Sequence, residues 1–477
     1  MMTFGNLLAF SPELWLLGGA IVVFLQARFM PRTSTTTVAL VALILSFLAL
    51  ATQFKQTIPI LDGAFLLDGF AIFIQVVLLG AAALCLLASR TDVLPGESPA
   101  AAEPAFLLLA TLGAMLAASA AEMVSLFLAL ELLAINLYVL AGLARRGTGG
   151  IGAGLGYLVI GAASSAVLLY GLAVVYGLGG DTRLAPAGLA LAALHGSQPA
   201  LLLALCLVLA GLAVRMGMLP LRWWTRGFET GVPPRVIMYV VSVGVVAAFS
   251  VFVRIVVTTF AGSHIPYAAV IAVVAAVAMT AGNLLAVTQS SVRRLVVYSG
   301  IAQAGYALVA FTDLKRLGIG ALLIFLAALA LTSICAFATI IAYARWVHSD
   351  AIRDLAAMSR HTPGLAVALG VAVLSLAGLP PVAGFFGKLL VLQAAVDGGF
   401  AWLAVVGALN IAMAGLGYAR VLRVAVVDPP VFEVAHVRLG LGIRAAVVLS
   451  AAGIVFMGLF LGPLYTAASY GKSAILH

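Results

Sequence analysis

Ala210-Gly-Leu-Ala-Val-Arg-Met-Gly-Met-Leu-Pro220 carries a cation and a proline inside one apolar run, and Gly378-Leu-Pro-Pro381 interrupts a second run later in the chain. A proline inside a helix removes one backbone hydrogen bond and breaks or kinks it. Punctuation by charge, Pro and Gly divides the chain into about fourteen apolar segments. The two breaks fall in segments seven (199–224) and twelve (363–396). An offset of five, an odd number, makes the second copy cross a membrane in the opposite sense, as in inverted repeats with discontinuous helices. Two unrelated prolines in glycine-rich helices are the plainer alternative. The expected fold is all-α and polytopic, with about 14 transmembrane helices, two inverted five-helix repeats and broken helices seven and twelve. It divides into a three-helix region (1–103), a first repeat of helices four to eight (104–258), a second of helices nine to thirteen (259–430), and a C-terminal helix (431–477).

Composition supports a chain built for lipid. Of 477 residues 64% are hydrophobic and 9% charged, and mean hydropathy is +1.21. A soluble domain carries about a quarter of its residues charged, so this one lacks the polar surface that water requires. In a bilayer the backbone must satisfy itself, which about 20 apolar residues do as a helix. Leu14 to Leu25 lacks a basic leader and precedes Arg28 and Arg32, and so reads as a helix rather than a cleaved signal. The net charge of +9 is spread one to three residues per loop without aromatic interleaving, which makes a nucleic-acid surface the weaker reading. Cys85, Cys206 and Cys335 all lie in apolar runs and read as packing residues. In alternate loops, 17 of the 25 Lys and Arg fall on one side, six on the other and two inside the membrane. Positive residues favour the cytoplasmic side, so both termini are expected on the non-cytoplasmic side.

A charge near the bilayer centre costs at least ~2.5–3.5 kcal/mol, so each needs a reason. Glu131 lies in the middle of Leu126-Phe-Leu-Ala-Leu-Glu-Leu-Leu-Ala-Ile135, and its partner must come from another helix. Arg215 stands just before the first break and stays protonated, a fixed cation suited to tuning Glu131 but a poor proton carrier. Lys388 follows the second break within Phe385-Phe-Gly-Lys-Leu-Leu-Val-Leu-Gln393. A desolvated lysine exchanges its proton when a neighbouring charge moves, which makes it the candidate carrier. A static buried ion pair is the alternative for Glu131. Tyr298, Ser299, Gln303, Tyr306, Thr332 and Ser333 are candidate relay groups, each of which also serves plain helix packing. Glu122 and Glu229 suit surface or capping roles, and Asp68 and Asp354 read as interfacial anchors.

Taken together, these stretches resemble the antiporter-like membrane subunits of respiratory complex I, nearest to the subunit N branch. Pro12-Glu-Leu-Trp-Leu-Leu17, Glu122 to Leu140, Gly161-Ala-Ala-Ser-Ser165, Val292-Arg-Arg-Leu-Val-Val-Tyr-Ser-Gly-Ile-Ala302 and Gly378 to Lys388 carry the likeness, in order. It implies a non-redox subunit of a proton-translocating NADH:quinone oxidoreductase in the cell's inner (plasma) membrane. Flavin, iron–sulfur clusters and quinone are then expected in partner subunits and no cofactor in this chain. The expected partners are other membrane-arm subunits and the lipid bilayer, with no nucleic acid. The family's charged axis carries over to Glu131 and Lys388. The family's segment-seven lysine falls at Arg215 and its segment-eight lysine at Val245. Two further usual basic positions read as Gly156 and Gln303, and a loop histidine reads as Arg222. The resemblance therefore implies an altered N-terminal half-channel beside an intact C-terminal one. Two rivals stand beside it: a subunit of a multi-component cation/proton antiporter or membrane-bound hydrogenase, and a structural subunit that does not pump.

Overall fold

The computed structural model describes residues 8–30, 34–54, 56–89, 101–143, 148–194, 198–218, 232–356, 358–429 and 439–476. Almost all of this is helix. Three helices open the chain, α1 (Ser11–Phe29), α2 (Thr35–Ala51) and α3 (Gly69–Ser89), with a small hairpin of β1 (Ile58–Ile60) and β2 (Phe65–Leu67) between the second and third. Next come α4 (Glu103–Ser119), α5 (Met123–Leu143), α6 (Thr148–Gly179), the short α7 (Leu184–Ala192), α8 (Gln198–Ala213) and α9 (Pro234–Phe260). The remainder is α10 (Tyr267–Val287), α11 (Val292–Val309), α12 (Ile319–Val347), α13 (Pro363–Ala377), α14 (Ala383–Asp397), α15 (Ala401–Val426), α16 (Leu441–Leu459) and α17 (Leu461–Leu476). Among the described residues, nine helical spans are long and apolar enough to cross a membrane. The C-terminal region, expected from the sequence to hold one helix within 431–477, has two between Leu441 and Leu476, interrupted at Phe460.

Burial separates centre from rim. The best apolar window of α9 is 89% buried and that of 292–347 is 94%, against 28% for α1 and 33% for α15. Large apolar side chains such as Leu416, Val405 and Ile21 stand exposed on the rim helices. Water would penalise that face and lipid does not.

The second break is resolved in full, and the first is described as far as Met218. Each helix before its break ends in the same backbone device. Gly217 adopts φ +73° and Gly378 φ +79°, a region glycine enters without a Cβ penalty. Met218 N–H donates to Ala213 O and Gly217 N–H to Val214 O, while Leu379 N–H donates to Leu374 O and Gly378 N–H to Ser375 O. Both are Schellman closures, which satisfy two of the carbonyls that a helix end leaves unpaired. Counting back from each glycine, Arg215 and Leu376 occupy the same position. Leu219 and Pro220, which continue the first break, lie outside the described residues, as do Arg222 and Glu229.

Helix α9 is held at both ends by arginine. Arg235 Nε donates to Glu103 Oε1 at 2.8 Å at its start. Near its end Arg254 meets Asp68 through two bonds of 2.9 and 3.0 Å and also donates to Ala118 O and Leu66 O. Asp68, expected as an interfacial anchor, is fully buried in this pair. The two arginines are 19 residues apart, about 28 Å by helical rise, close to the hydrocarbon thickness of a bilayer. Helix α9 contains two π-turns, Val240–Gly244 between the clamps and Val256–Phe260 just past Arg254.

Candidate functional site

Two polar clusters sit at the two breaks. In the first, Glu131 projects from α5 and its partner is Arg215, whose Nη2 donates to Glu131 Oε1 at 2.6 Å. Ser165 on α6 closes a triangle: its hydroxyl donates to the same oxygen at 2.6 Å and accepts from Arg215 Nη2 at 2.5 Å. Arg215 Nη1 also donates to Leu130 O at 3.0 Å. The ion pair is sheltered without being sealed, with side-chain exposures of 11% for Arg215 and 23% for Glu131. Ser165 was not singled out from sequence. The adjacent Ser164–Ser165 in an apolar helix was the available signal, since a buried hydroxyl needs a partner.

In the second cluster Lys388 is buried on α14 and donates through Nζ to Leu376 O at 2.6 Å. That carbonyl belongs to the last turn of α13, which the break leaves without its onward helical partner. Gln303 Nε2 donates to the same oxygen at 3.0 Å. The ammonium lies 4.4 Å from the centroid of the Tyr306 ring, whose electron-rich face attracts a cation. Among the described residues no carboxylate lies within ion-pair distance of Lys388. Carbonyl and ring thus replace a counter-ion, and the helix C-terminus adds its negative dipole end.

The relay candidates divide. Gln303 and Tyr306 touch the Lys388 cluster directly. Thr332 joins it through Ser375, whose hydroxyl lies 2.7 Å from Thr332 Oγ1 and accepts from Gly384 N–H at 3.2 Å. Ser375 was missed in the sequence because nothing there tells which side of α13 faces the break. Ser333 lines a cavity beside the cluster. Tyr298 packs instead in a small separate group with Ala286 and Ile301, and Ser299 donates to Val296 O within its own helix. Gly156 lies on an open face of α6 where an added Cβ meets nothing within 4 Å, while its neighbour Tyr157 faces inward.

Among the described residues, three cavities lie along the path between the clusters. The largest leaves about 70 Å³ open to water centres and runs from Arg215, Gly217 and Val245 to Gln303, Ser333 and Leu376. At roughly 10–15 Å³ per molecule it has room for about five waters. A second, of about 30 Å³, shares Tyr157 and Arg215 with it and reaches Leu130 and Tyr138. The third, of about 10 Å³, shares Gln303 and Leu376 and reaches Thr332 and Ser375. The central stretch is mostly aliphatic, with Ile237, Val240, Val241, Val245, Val296 and Val297 facing it. The π-turn Val240–Gly244 lies on this wall, directly before Val245.

Residues 120–414 match the family described as NADH:quinone oxidoreductase/Mrp antiporter, TM. The chain belongs to this family. Its matched span contains Glu131, Arg215, Lys388 and both breaks. NADH-quinone oxidoreductase subunit N 1 of Rhizobium meliloti is 34% identical over 466 residues, covering 96% of this chain and 95% of that one. A chain of respiratory complex I from Thermus thermophilus superposes with a TM-score of 0.81 at 27% identity, covering 96% of this chain and 100% of that one. A chain of the Mrp complex from Dietzia sp. shares the fold, with a TM-score of 0.86 at 20% identity over 100% and 98% of the two chains. For this member of the NADH:quinone oxidoreductase/Mrp antiporter family, the aliphatic wall between its two clusters is the chemical feature that any transport reading must accommodate.

Proposed function

We propose that this chain is a subunit N-type membrane-arm component of an NADH:quinone oxidoreductase, coupling quinone reduction elsewhere in the assembly to proton movement through the bilayer. Electron carriers (flavin, iron–sulfur clusters and quinone) belong to partner subunits in this reading. The observation that carries it is the line of three cavities running from Arg215 of the first cluster to Gln303 and Leu376 of the second. Lys388 is the proton carrier, since its ammonium rests on neutral groups and can give up a proton without leaving a carboxylate unpaired. Gln303, Thr332 and Ser375 supply hydrogen-bonding stations beside it. Arg215 holds its proton and sets the field at Glu131. Two inverted repeats, 104–258 and 259–430, are supported by the matching closures at Gly217 and Gly378. Fourteen membrane crossings, with both termini on the non-cytoplasmic side, complete the topology.

Val245 makes the two halves unequal. An aliphatic wall disfavours water, so the central cavity resists proton passage and the C-terminal half carries the flux. The same wall favours a second reading, a non-pumping scaffold. Proton yield per electron in sealed vesicles decides between them, comparing the native assembly with Lys388→Ala and checking assembly and electron-transfer rate in parallel. A lowered yield with assembly intact supports the carrier. An unchanged yield makes the subunit a scaffold.

A further inference from the structure

A third buried polar site lies outside both clusters, where α1, α3 and α4 meet. Glu13, in the first turn of α1, is 6% exposed, and Gln75, on α3, is fully buried. Gln75 Nε2 donates to Glu13 Oε1 at 3.0 Å and to Met115 O of α4 at 3.2 Å. A primary amide has two N–H hydrogens, so both are spent. Two acceptors are left with no partner among the described residues: Glu13 Oε2 and Gln75 Oε1. Turning the amide over would bring its oxygen against Glu13 Oε1 and Met115 O, three acceptors together, so the orientation is fixed by its contacts.

Among the described residues, the cation that reaches α4 here is already committed. Arg254 reaches α4 one turn further along, at Ala118 O, and its remaining contacts go to Asp68 and Leu66 O. The start of α1 favours an anion through its dipole, yet that field gives Oε2 no donor. A buried carboxylate with one oxygen unbonded is costly, and so is a bare amide oxygen. One proton repairs both.

We propose that Glu13 is held as a carboxylic acid whose O–H donates to Gln75 Oε1, closing a cyclic acid–amide pair, so that a bound proton ties α1 and α3 to α4. The site is a proton-binding site distinct from the Lys388 cluster, and it stands whether or not the transport reading does.

Infrared spectroscopy of the purified assembly tests it. The native spectrum minus that of Glu13→Gln should show one hydrogen-bonded carboxylic-acid C=O stretch, removed by the substitution. Glu13→Gln can close the same ring as an amide–amide pair, so assembly and thermal midpoint should stay unchanged, whereas Glu13→Ala should lower the midpoint. Gln75→Leu should keep the acid band and move it to the frequency of an acid without a hydrogen bond, which decides the matter even where Glu13→Gln fails to assemble. Loss of a carboxylate band in the Glu13→Gln difference spectrum overturns the proposal. So does a band at Glu13 that shifts when sodium replaces potassium, because a metal cation would then bridge the two oxygens.

Discussion

At the scale of single residues, Lys388 and Glu131 illustrate two ways of keeping a charge in an apolar interior. Lys388 rests on a carbonyl freed by a helix break and on an aromatic face. Removing a buried charge that lacks an ionic partner is often neutral or stabilising when an apolar group of similar volume takes its place. Lys388→Met should therefore leave the thermal midpoint of the assembly level or raised while proton yield falls. A loss of both together would mark Lys388 as structural. Glu131 differs, because Arg215 and Ser165 depend on it. Glu131→Gln should cost about 2–3 kcal/mol, under the ~3–5 of a sealed ion pair because 23% of the Glu131 side chain remains exposed. A double-mutant cycle with Arg215→Met should give a combined loss smaller than the sum of the two. Additive losses would mean that the two side chains do not act as a pair. Both charges were legible in the sequence as anomalies in apolar runs. Arg215 was legible too, as a cation suited to Glu131, but the neutral partners were not, because Ser165, Ser375 and the Leu376 carbonyl look like any other hydroxyl or peptide group.

Among the elements, the two broken helices show how one local device serves two sites. At Gly378 a Cβ would stand 2.7 Å from Lys388 Cδ, and at Gly217 the nearest atom, Val245 Cγ2, is 3.8 Å away. Gly217→Ala should meet only the left-handed backbone penalty, about 1 kcal/mol. Gly378→Ala should cost roughly 2–3 kcal/mol by adding that contact. It should also depress proton yield, because Lys388 must shift off Leu376 O. Equal effects at both positions would show that the glycines matter for backbone alone. Helix α9 offers a second test. Asp68→Asn leaves Arg254 buried beside a neutral group, and should lower stability by about 3–5 kcal/mol. Asp68→Asn with Arg254→Met should recover part of that loss, measured by thermal unfolding of the purified assembly. The breaks could be read directly, since Pro and Gly act locally. The clamps on α9 could not, since Arg254 and Asp68 lie 186 residues apart.

For the molecule as a whole, the central cavity sets the transport question. Its wall includes Val245 together with Arg215 and Gln303, so an aliphatic side chain stands where the resemblance implies a lysine. Val245→Lys should hydrate the cavity and raise proton yield per electron in vesicles. An unchanged yield from an assembled variant would mean that the aliphatic wall is not what limits passage.

The sequence by itself determined that the chain is a helical membrane protein, because hydropathy, helix length and proline breaks are properties of short contiguous runs. It also singled out Glu131, Arg215 and Lys388, since an ionisable group in the middle of an apolar segment is costly wherever the segment packs, but not Glu13, Asp68 or Arg254, which packing near the helix ends buries. Tertiary structure alone decided what those charges touch. The Glu131–Ser165–Arg215 triangle, the carbonyl under Lys388, the arginine clamps on α9 and the Glu13–Gln75 pair join helices far apart in the chain. No local pattern encodes such contacts, because hydrogen bonds at about 3 Å depend on how whole helices rotate and pack against one another.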